Sequence, residues 1–203
     1  MRDEPGVTRA LAEPSARLAI AENGRPMAIA ALASLSRYRP LLVACPTGTD
    51  AAHLHDDLVT LMGADAVALF PAWETLPFER VSPTVETMGR RHEVLWRLRD
   101  DRTRPRVIVA GVRAMLQRLG PGATLREPVQ VRRGDSVDLD ALCASLVDMG
   151  YRREELVEHR GEFARRGAII DVFGATADAP VRIDLWGDEV DRLCEFGVND
   201  QRS

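Results

Sequence analysis

Hydrophobic and polar positions follow two different patterns along the chain, and the change between them divides it into two parts. As far as residue 119, short apolar runs such as "PLLVAC", "AVALF" and "RVIVAG" alternate with segments whose apolar residues lie three or four positions apart. The runs predict buried strands, and the wider spacing predicts amphipathic helices. A succession of strand, helix and strand predicts a parallel sheet. We therefore expect an α/β domain first.

The predicted helices of this first part carry different signals. "DAAHLHDDLVTLM" places four apolar residues on one face, and "ETMGRRHEVLWRLRD" is a charged amphipathic helix. Pro26 suits the first residue of a helix that continues to about Tyr38. "VRAMLQRL" predicts a short helix before Gly120, and "PAWETLPFERVSPTVE" predicts a structured loop. We expect residues 1 to about 25 to be poorly ordered or to pack late on another segment.

The pattern changes after Gly120-Pro121-Gly122, which is the best domain boundary in the sequence. "REPVQVRRGDSV" resembles a strand that ends in a turn, and "DLDALCASLVDMG" predicts a helix capped by Asp138 and stopped by Gly150. Three short strands follow in "AIIDVF", "VRIDLW" and "EVDRLCEF". We therefore predict an α/β domain over residues 1–122 and a smaller α+β domain over residues 123–203.

Composition restricts the chemistry that the chain can perform. Its 203 residues, 45% of them hydrophobic, suffice for two modest cores. The formal net charge of −4 gives no general attraction to nucleic acid or anionic membrane. All 27 basic residues are arginine, so the lysine of a phosphate-binding loop, a Schiff base or a lysine general base is excluded. Arginine instead favours bidentate contacts with carboxylates and phosphates.

The cysteines and the first residues indicate where the protein works. Cys45, Cys143 and Cys194 are isolated, which suggests neither a zinc site nor a redox pair and fits a reducing compartment. The start, "MRDEPGVTRALAEP", is acidic and interrupted by proline, unlike a secretory signal. "MAIAALASL" is too short for a membrane span. We expect a cytoplasmic protein without a metal, a cofactor or a membrane contact.

The segment "PTGTDAA" stands where a nucleotide-binding fold carries its phosphate-binding loop, between a buried strand and a helix. The loop comprises Thr47, Gly48, Thr49, Asp50, Ala51 and Ala52. Such a loop requires Gly-Lys-Ser/Thr at the last three positions, where this chain has Asp50, Ala51 and Ala52. The alanines cannot contact phosphate or magnesium through their side chains, and the aspartate repels a triphosphate. We predict the fold of a nucleotide site without the site.

Three weaker patterns have structural explanations. His53 and His55 lie two apart on a helix, so they face different directions and are expected to be solvated rather than metal ligands. Trp73 is expected to pack in its loop rather than stack a nucleic-acid base, because acidic residues surround it. The arginines near residue 90, which are Arg90, Arg91, Arg97 and Arg99, alternate with acids and predict a solvated mixed face, with a nucleic-acid-binding face as the alternative.

The strand "VRIDLW" carries the strongest candidate binding residues. Because side chains alternate along a strand, Arg182, Asp184 and Trp186 share one face and two aliphatic residues share the other. Asp184 is a candidate partner for an arginine on its own face, and Arg166 precedes the neighbouring strand. Arginine and tryptophan are enriched among interface hot spots. A surface strand whose tryptophan covers a loop is the alternative, and it stays open on the pattern alone.

The segments "WETLPFERVSP", "RGEFARRGAIIDVF" and "VRIDLWGDEVDRLCEF", ending in "DQRS", resemble the N-terminal part of the bacterial transcription-repair coupling factors (the Mfd family). The resemblance covers residue 40 to the end and is highly specific in its second half. That part of the family is itself similar to the repair helicase UvrB. The resemblance implies a RecA-like domain with a degenerate phosphate loop, followed by an α+β domain that binds UvrA.

The family's UvrA-binding positions correspond to Arg166, Arg182 and Trp186 in this chain. Because alternation places Arg182 and Trp186 on the surface side of the strand, we expect replacement of either to weaken UvrA binding while stability barely changes. The stretch from about Phe78 to Glu86, which corresponds to the DNA-clamping hairpin of UvrB, is short and has no tyrosine, so we expect that activity to be absent.

The full-length family is an ATP-dependent DNA translocase, but this chain stops at Ser203, before the domains that contact RNA polymerase and DNA. The resemblance therefore implies a non-catalytic module that recruits UvrA in transcription-coupled nucleotide excision repair. Two alternatives are a nucleotide-binding, UvrB-like ATPase or helicase fragment and a nucleic-acid-binding module. The altered loop opposes the first, and the acidic net charge opposes the second.

Overall fold

A computed structural model describes residues 5–75, 82–119 and 127–198. The chain divides into two compact units, Met1–Ser82 with Arg90–Leu125 and Pro83–Gly89 with Arg126–Ser203. Our boundary at Gly120-Pro121-Gly122 lies outside the described residues and stays a prediction.

The first unit is built on a three-stranded parallel sheet, as the strand–helix–strand pattern predicts. The strands are β1 (Leu41–Cys45), β2 (Val67–Phe70) and β3 (Val107–Gly111), in the order β1-β3-β2. Residue Val107 in β3 pairs with Leu41 on one side and Val67 on the other. The central strand is buried along its whole length, which explains its unbroken apolar run.

Helices complete the first unit, and two of them differ from prediction. They are α1 (Pro5–Ala12), α2 (Arg25–Leu35), α3 (Gly48–Met62), most of α4 (Val85–Arg97) and α5 (Val112–Leu116). Leu58 of α3 packs with the β3 residue Val109 on one face of the sheet, and Val94 of α4 packs with Ile108 on the other. Helix α1 contradicts the expectation of a poorly ordered start, because Val7 gives it a buried contact. Helix α5 ends earlier than its apolar pattern suggests.

The second unit has α6 (Leu139–Asp148) on a five-stranded mixed sheet, which is an α+β arrangement. The strands are β4 (Arg152–Arg153), β5 (Glu162–Arg166), β6 (Ile169–Val172), β7 (Val181–Trp186) and β8 (Glu189–Glu195), in sequence order. Only the β4–β5 pair is parallel. Asp138 caps α6 by accepting hydrogen bonds from two backbone N–H groups, as predicted, and Gly150 follows with a φ of 89°.

Sequence reasoning missed strand β5 and predicted a strand that the described residues do not form. Phe163 and Ala164 of β5 are both buried, on opposite faces of the sheet, so the strand shows no polar–apolar alternation. Arg166 consequently lies at the end of a strand rather than ahead of one. "REPVQVRRGDSV" forms no strand among its described residues and contributes only an isolated bridge from Ser136 to Glu189.

The first turn of α4 belongs to the second unit because it packs closely on the segments flanking β5 and β6. Gly161 has a φ of 81°, and a Cβ there would lie 2.5 Å from Val85 Cγ1. Arg160 Nη1 lies 3.2 Å from Glu86 Oε2, and its Nε donates to the Ala177 carbonyl at 2.7 Å. No helix within residues 5–75, 82–119 and 127–198 is long and apolar enough to cross a membrane.

Candidate partner-binding face

The two faces of β7 differ as the alternation predicts. Ile183 and Leu185 are buried in the core beneath α6. Arg182 and Trp186 lie on the opposite face, and Trp186 is 85% exposed. The only register shift in the β7–β8 pairing lies between Asp184 and Leu185, where β8 carries the extra residue, so the alternation within β7 is kept. A large aromatic side chain is therefore held in solvent by a well-packed strand.

A single buried carboxylate, Asp171 of β6, organises the arginines of this face. Asp171 is 1% exposed and lies directly opposite Arg182 in the antiparallel register. Arg182 Nε donates to Asp171 Oδ1 at 2.7 Å and its Nη2 donates to Oδ2 at 2.9 Å, which is a bidentate pair. Arg166 Nη2 donates to the same Oδ2 at 2.6 Å. Two guanidinium groups thus share one carboxylate, and the charge of Asp184 also acts on Arg182.

The two arginines have different exposures and different roles. The side chain of Arg182 is 14% exposed, and its guanidinium lies 4.7 Å from the centre of the Phe196 ring. Hydrogen bonding to Asp171 raises the pKa of Arg182. The side chain of Arg166 is 46% exposed, so it presents its remaining donors outward. Arg182 is therefore mainly a structural partner of Asp171, and Arg166 is the outward-facing cation.

This arrangement corrects two details of the sequence interpretation. We expected Asp184 to pair with an arginine, but the salt-bridge partner of Arg182 is Asp171, and within the described residues Asp184 Oδ1 is buried without a hydrogen bond. We also expected replacement of Arg182 to leave stability almost unchanged. Its removal would strip a bidentate partner from a buried carboxylate, so a loss of stability is now expected.

A second buried carboxylate anchors the turn that leads into β5. Glu162 accepts hydrogen bonds from the backbone N–H groups of Glu158, at 3.0 Å, and His159, at 2.8 Å, and Arg152 Nη2 lies 3.2 Å away. Burial acts to raise the pKa of Glu162, but these hydrogen bonds and the nearby positive charges outweigh it and the pKa is lowered. Nothing in the sequence pattern distinguished this glutamate.

The loop from Thr47 to Ala52 in the first unit is held by hydrogen bonds of its own side chains. Thr47 caps α3, because its Oγ1 accepts a hydrogen bond from the Asp50 backbone N–H at 3.0 Å. The same hydroxyl donates to Asp50 Oδ2 at 2.8 Å. The aspartate thus places a negative charge in the first turn, where a bound phosphate would lie in a functional loop.

Ala51 of α3 is directed into the core of the first unit. Ala51 is buried in the core formed by α3 and the sheet, together with Leu58 and Val109. Burial raises the pKa of the Cys45 thiol at the end of β1, and the charge of Asp50 raises it further. Gly48 and Thr49 complete the first turn, and a Cβ on Gly111 would lie 3.1 Å from the Gly48 nitrogen.

Helix α4 does not present the four arginines as one basic face. Arg91 is 1% exposed, and its guanidinium lies 4.1 Å from the Phe70 ring centre and 4.4 Å from that of Trp73. Arg91 Nη1 donates to the Pro71 carbonyl, and Arg97 donates to the Thr103 carbonyl at 3.0 Å. Two of the four charges are therefore used inside the unit, and Trp73 packs in its loop as predicted.

The other candidate residues carry no metal chemistry that the structure supports. His53 is exposed, and His55 Nδ1 lies 3.0 Å from Asp56 Oδ1. Within residues 5–75, 82–119 and 127–198, no group of histidine, cysteine and acidic side chains could hold a metal ion. Arg90 is exposed on α4, and Arg99 is exposed in the turn that follows the helix.

Known proteins match both units. The family described as the UvrB interaction domain matches residues 129–203, which cover the sheet with Asp171 and Trp186. The transcription-repair-coupling factors of Mycobacterium bovis and Mycobacterium tuberculosis are 43% identical to this chain over 198 residues, or 95% of it. That of Escherichia coli is 31% identical over 165 residues, or 81% of the chain.

The matches extend over a small part of each relative. The chain spans 15% of the length of the mycobacterial proteins and 14% of that of the Escherichia coli protein. Similarity therefore concerns one region of much longer proteins, and it includes the first unit as well as the second. The chain belongs to the transcription-repair coupling factor family and corresponds to its N-terminal, UvrB-homologous region.

Proposed function

We propose that this chain is the non-catalytic module by which a transcription-repair coupling factor recruits UvrA in transcription-coupled nucleotide excision repair. The observation that carries the proposal is Trp186, an 85% exposed tryptophan on a rigid strand within the matched interaction domain. A tryptophan supplies much contact area with few rotatable bonds, which suits a hot spot. Cytoplasmic location, expected from the cysteines, is part of the proposal.

Arg166 and Arg182 complete the proposed contact face. Asp171 fixes both guanidinium groups, so little side-chain entropy is lost when a partner binds. Arg166 offers donors for a carboxylate of UvrA, and Arg182 holds the carboxylate that orients Arg166. We therefore propose a contact patch of one aromatic anchor, one exposed cation and one buried positioning arginine.

The first unit supports the non-catalytic part of the proposal. We propose that it is a RecA-like domain whose phosphate loop, Thr47 to Ala52, no longer binds nucleotide. Asp50 occupies the first turn of α3 with its own negative charge, and Ala51 is packed in the core. We propose that the contact with RNA polymerase and the translocation on DNA belong to other parts of the longer family proteins.

A binding measurement with purified UvrA tests the contact face. Trp186→Ala should weaken binding about thirtyfold, the consequence of losing roughly 2 kcal/mol. Its thermal stability should change by no more than about 0.5 kcal/mol, because the side chain is exposed. Leu116→Ala is a matched control, since Leu116 is 79% exposed but lies in the first unit. Unchanged affinity in Trp186→Ala would overturn the contact face.

The alternative function is a nucleotide-binding, UvrB-like ATPase or helicase fragment, which the strand–loop–helix around Thr47 favours. Calorimetric titration with magnesium-ATP separates the two functions. The proposal expects no saturable heat at millimolar nucleotide, and a micromolar dissociation constant would favour the alternative.

A further inference from the structure

A cleft of about 460 Å³ lies in the first unit, at the edge where its parallel strands begin. Arg39 leads into β1, Asp65 leads into β2, and Arg106 leads into β3. Since all three strands run in one direction, their lead-in segments converge at one edge. The loop from Thr47 to Ala52 follows the carboxyl end of β1, at the opposite edge of the sheet, so the cleft is separate from that loop.

Two of the arginines that line the cleft are already paired. Arg102 Nη2 donates to Asp100 Oδ2 at 2.9 Å. Arg104 Nη2 donates to the Leu98 carbonyl at 3.1 Å, and its Nη1 pairs with Asp101. These contacts hold the two side chains in place, and they use both aspartates of the Asp100–Asp101 pair.

Arg39 and Arg106 are different, because no hydrogen bond or ion pair engages either side chain within the described part of the chain. Arg39 is exposed and Arg106 is partly buried. The Leu41 backbone N–H donates to the Arg106 carbonyl at 2.8 Å, so the two arginines start from neighbouring strands. Asp65 also lines the cleft, is exposed, and has no side-chain partner there.

We propose that this cleft binds a phosphate group, as free pyrophosphate or as a phosphate ester of a nucleic acid, through Arg39 and Arg106. A carboxylate is planar and one guanidinium fork can satisfy it. A phosphate group offers at least two free oxygens in a tetrahedral arrangement, so it can accept from forks that approach from two strands. The charges of Arg102 and Arg104 are balanced by Asp100 and Asp101, and Asp65 opposes binding, so Arg39 and Arg106 supply the attraction.

Calorimetric titration of the whole chain with sodium pyrophosphate at low salt tests the proposal. We expect saturable binding that weakens about tenfold in Arg39→Ala and in Arg106→Ala, since each loses a charge-assisted contact. Asp65→Asn should bind about threefold more tightly, because it removes a like charge from the ligand's surroundings. Arg153→Ala, an exposed arginine in β4, is the control and should bind as the unaltered chain does.

Two further ligands identify the source of the phosphate. Tighter binding of a 5′-phosphorylated oligothymidylate, with the same loss in Arg39→Ala, would assign the site to nucleic acid, whereas binding of pyrophosphate alone would assign it to free phosphate. Absence of saturable binding up to about 5 mM, a free energy weaker than roughly 3 kcal/mol, would overturn the proposal. So would preference for a pentaglutamate peptide, or an Asp65→Asn variant that binds no better. Arg39→Ala is exposed and should fold, which keeps the test decisive.

Discussion

Arg91 in the first unit and Arg182 in the second are both largely buried, and both lie against aromatic rings, but their donors are used differently. The Nε and Nη2 atoms of Arg182 form a bidentate pair with Asp171. The same two atoms of Arg91 are buried without a hydrogen-bond partner among the described residues. Burial lowers the pKa of Arg91, whereas hydrogen bonding to Asp171 raises that of Arg182.

Arg182 is therefore held in a defined orientation by hydrogen bonds, whereas Arg91 is held mainly by packing against aromatic rings. A buried guanidinium whose Nε and Nη2 both donate to a carboxylate is fixed in orientation and position. It can orient a neighbour such as Arg166 through the shared carboxylate. The guanidinium of Arg91, held between Phe70 and Trp73, keeps favourable ring contacts. It has no shared carboxylate among the described residues through which it could orient a second side chain toward a ligand. Under the proposed function, the ordered arginines of the second unit are the ones that contact UvrA.

Breaking the bidentate pair between Arg182 and Asp171 should have the largest effect on stability. Arg182→Met leaves Asp171 buried with Arg166 as its remaining charged partner, so the free energy of unfolding of the second unit should fall by about 3–5 kcal/mol. Urea denaturation followed by hydrogen exchange of the backbone amides of β5 to β8 would measure it. Arg166→Met is the control, and it should cost less because its side chain is 46% exposed. Equal, small losses in both variants would mean that Asp171 does not need Arg182.

Acid should weaken the second unit through its other buried carboxylate. The pKa of Glu162 is lowered in the folded state. Its stabilising contribution is therefore fully present above the unfolded value, about 4.3, and is lost as the pH falls through the lower folded value. Denaturation curves of the unaltered chain and Glu162→Gln between about pH 3 and 7 should show a difference in unfolding free energy that shrinks in acid. A difference that is constant with pH would show that the ionised form of Glu162 is not specifically stabilised.

The comparison also shows what the sequence can predict. Alternation in "VRIDLW" places Arg182 and Trp186 on one face, because side-chain direction is a local property of a strand. Asp171 as the shared partner depends on the pairing of β6 with β7, and register is a non-local property. Sequence pattern therefore predicted the face but assigned the wrong acid, Asp184, to it.

The same division applies to the first unit. The three parallel strands and helix α3 follow from hydrophobic runs and period. Burial of Arg91 could not be predicted, because "GRRHE" resembles a solvated segment of a charged helix. Only the folded chain brings Phe70 and Trp73 against it. Placement of Pro83–Gly89 in the second unit likewise depends on contacts with Gly161 and Ala175, far along the chain.

The smallest effect on stability is expected at Arg91, whose Nε and Nη2 have no hydrogen-bond partner among the described residues. Arg91→Met removes a desolvated charge and its hydrogen bond to the Pro71 carbonyl, and it keeps a flexible side chain whose sulfur can contact both aromatic rings. Replacing a buried charge by an apolar residue of similar size is often neutral or stabilising, so the free energy of unfolding should change by less than about 1 kcal/mol. Arg91→Lys is the matched control and should destabilise the first unit more than Arg91→Met, because an ammonium is more strongly hydrated than a guanidinium. Thermal denaturation followed by circular dichroism would rank the three proteins. A loss of several kcal/mol of unfolding free energy in Arg91→Met would show that Nε and Nη2 of Arg91 have hydrogen-bond partners in solution. Arg91 and Arg182 would then both be hydrogen-bonded, buried arginines.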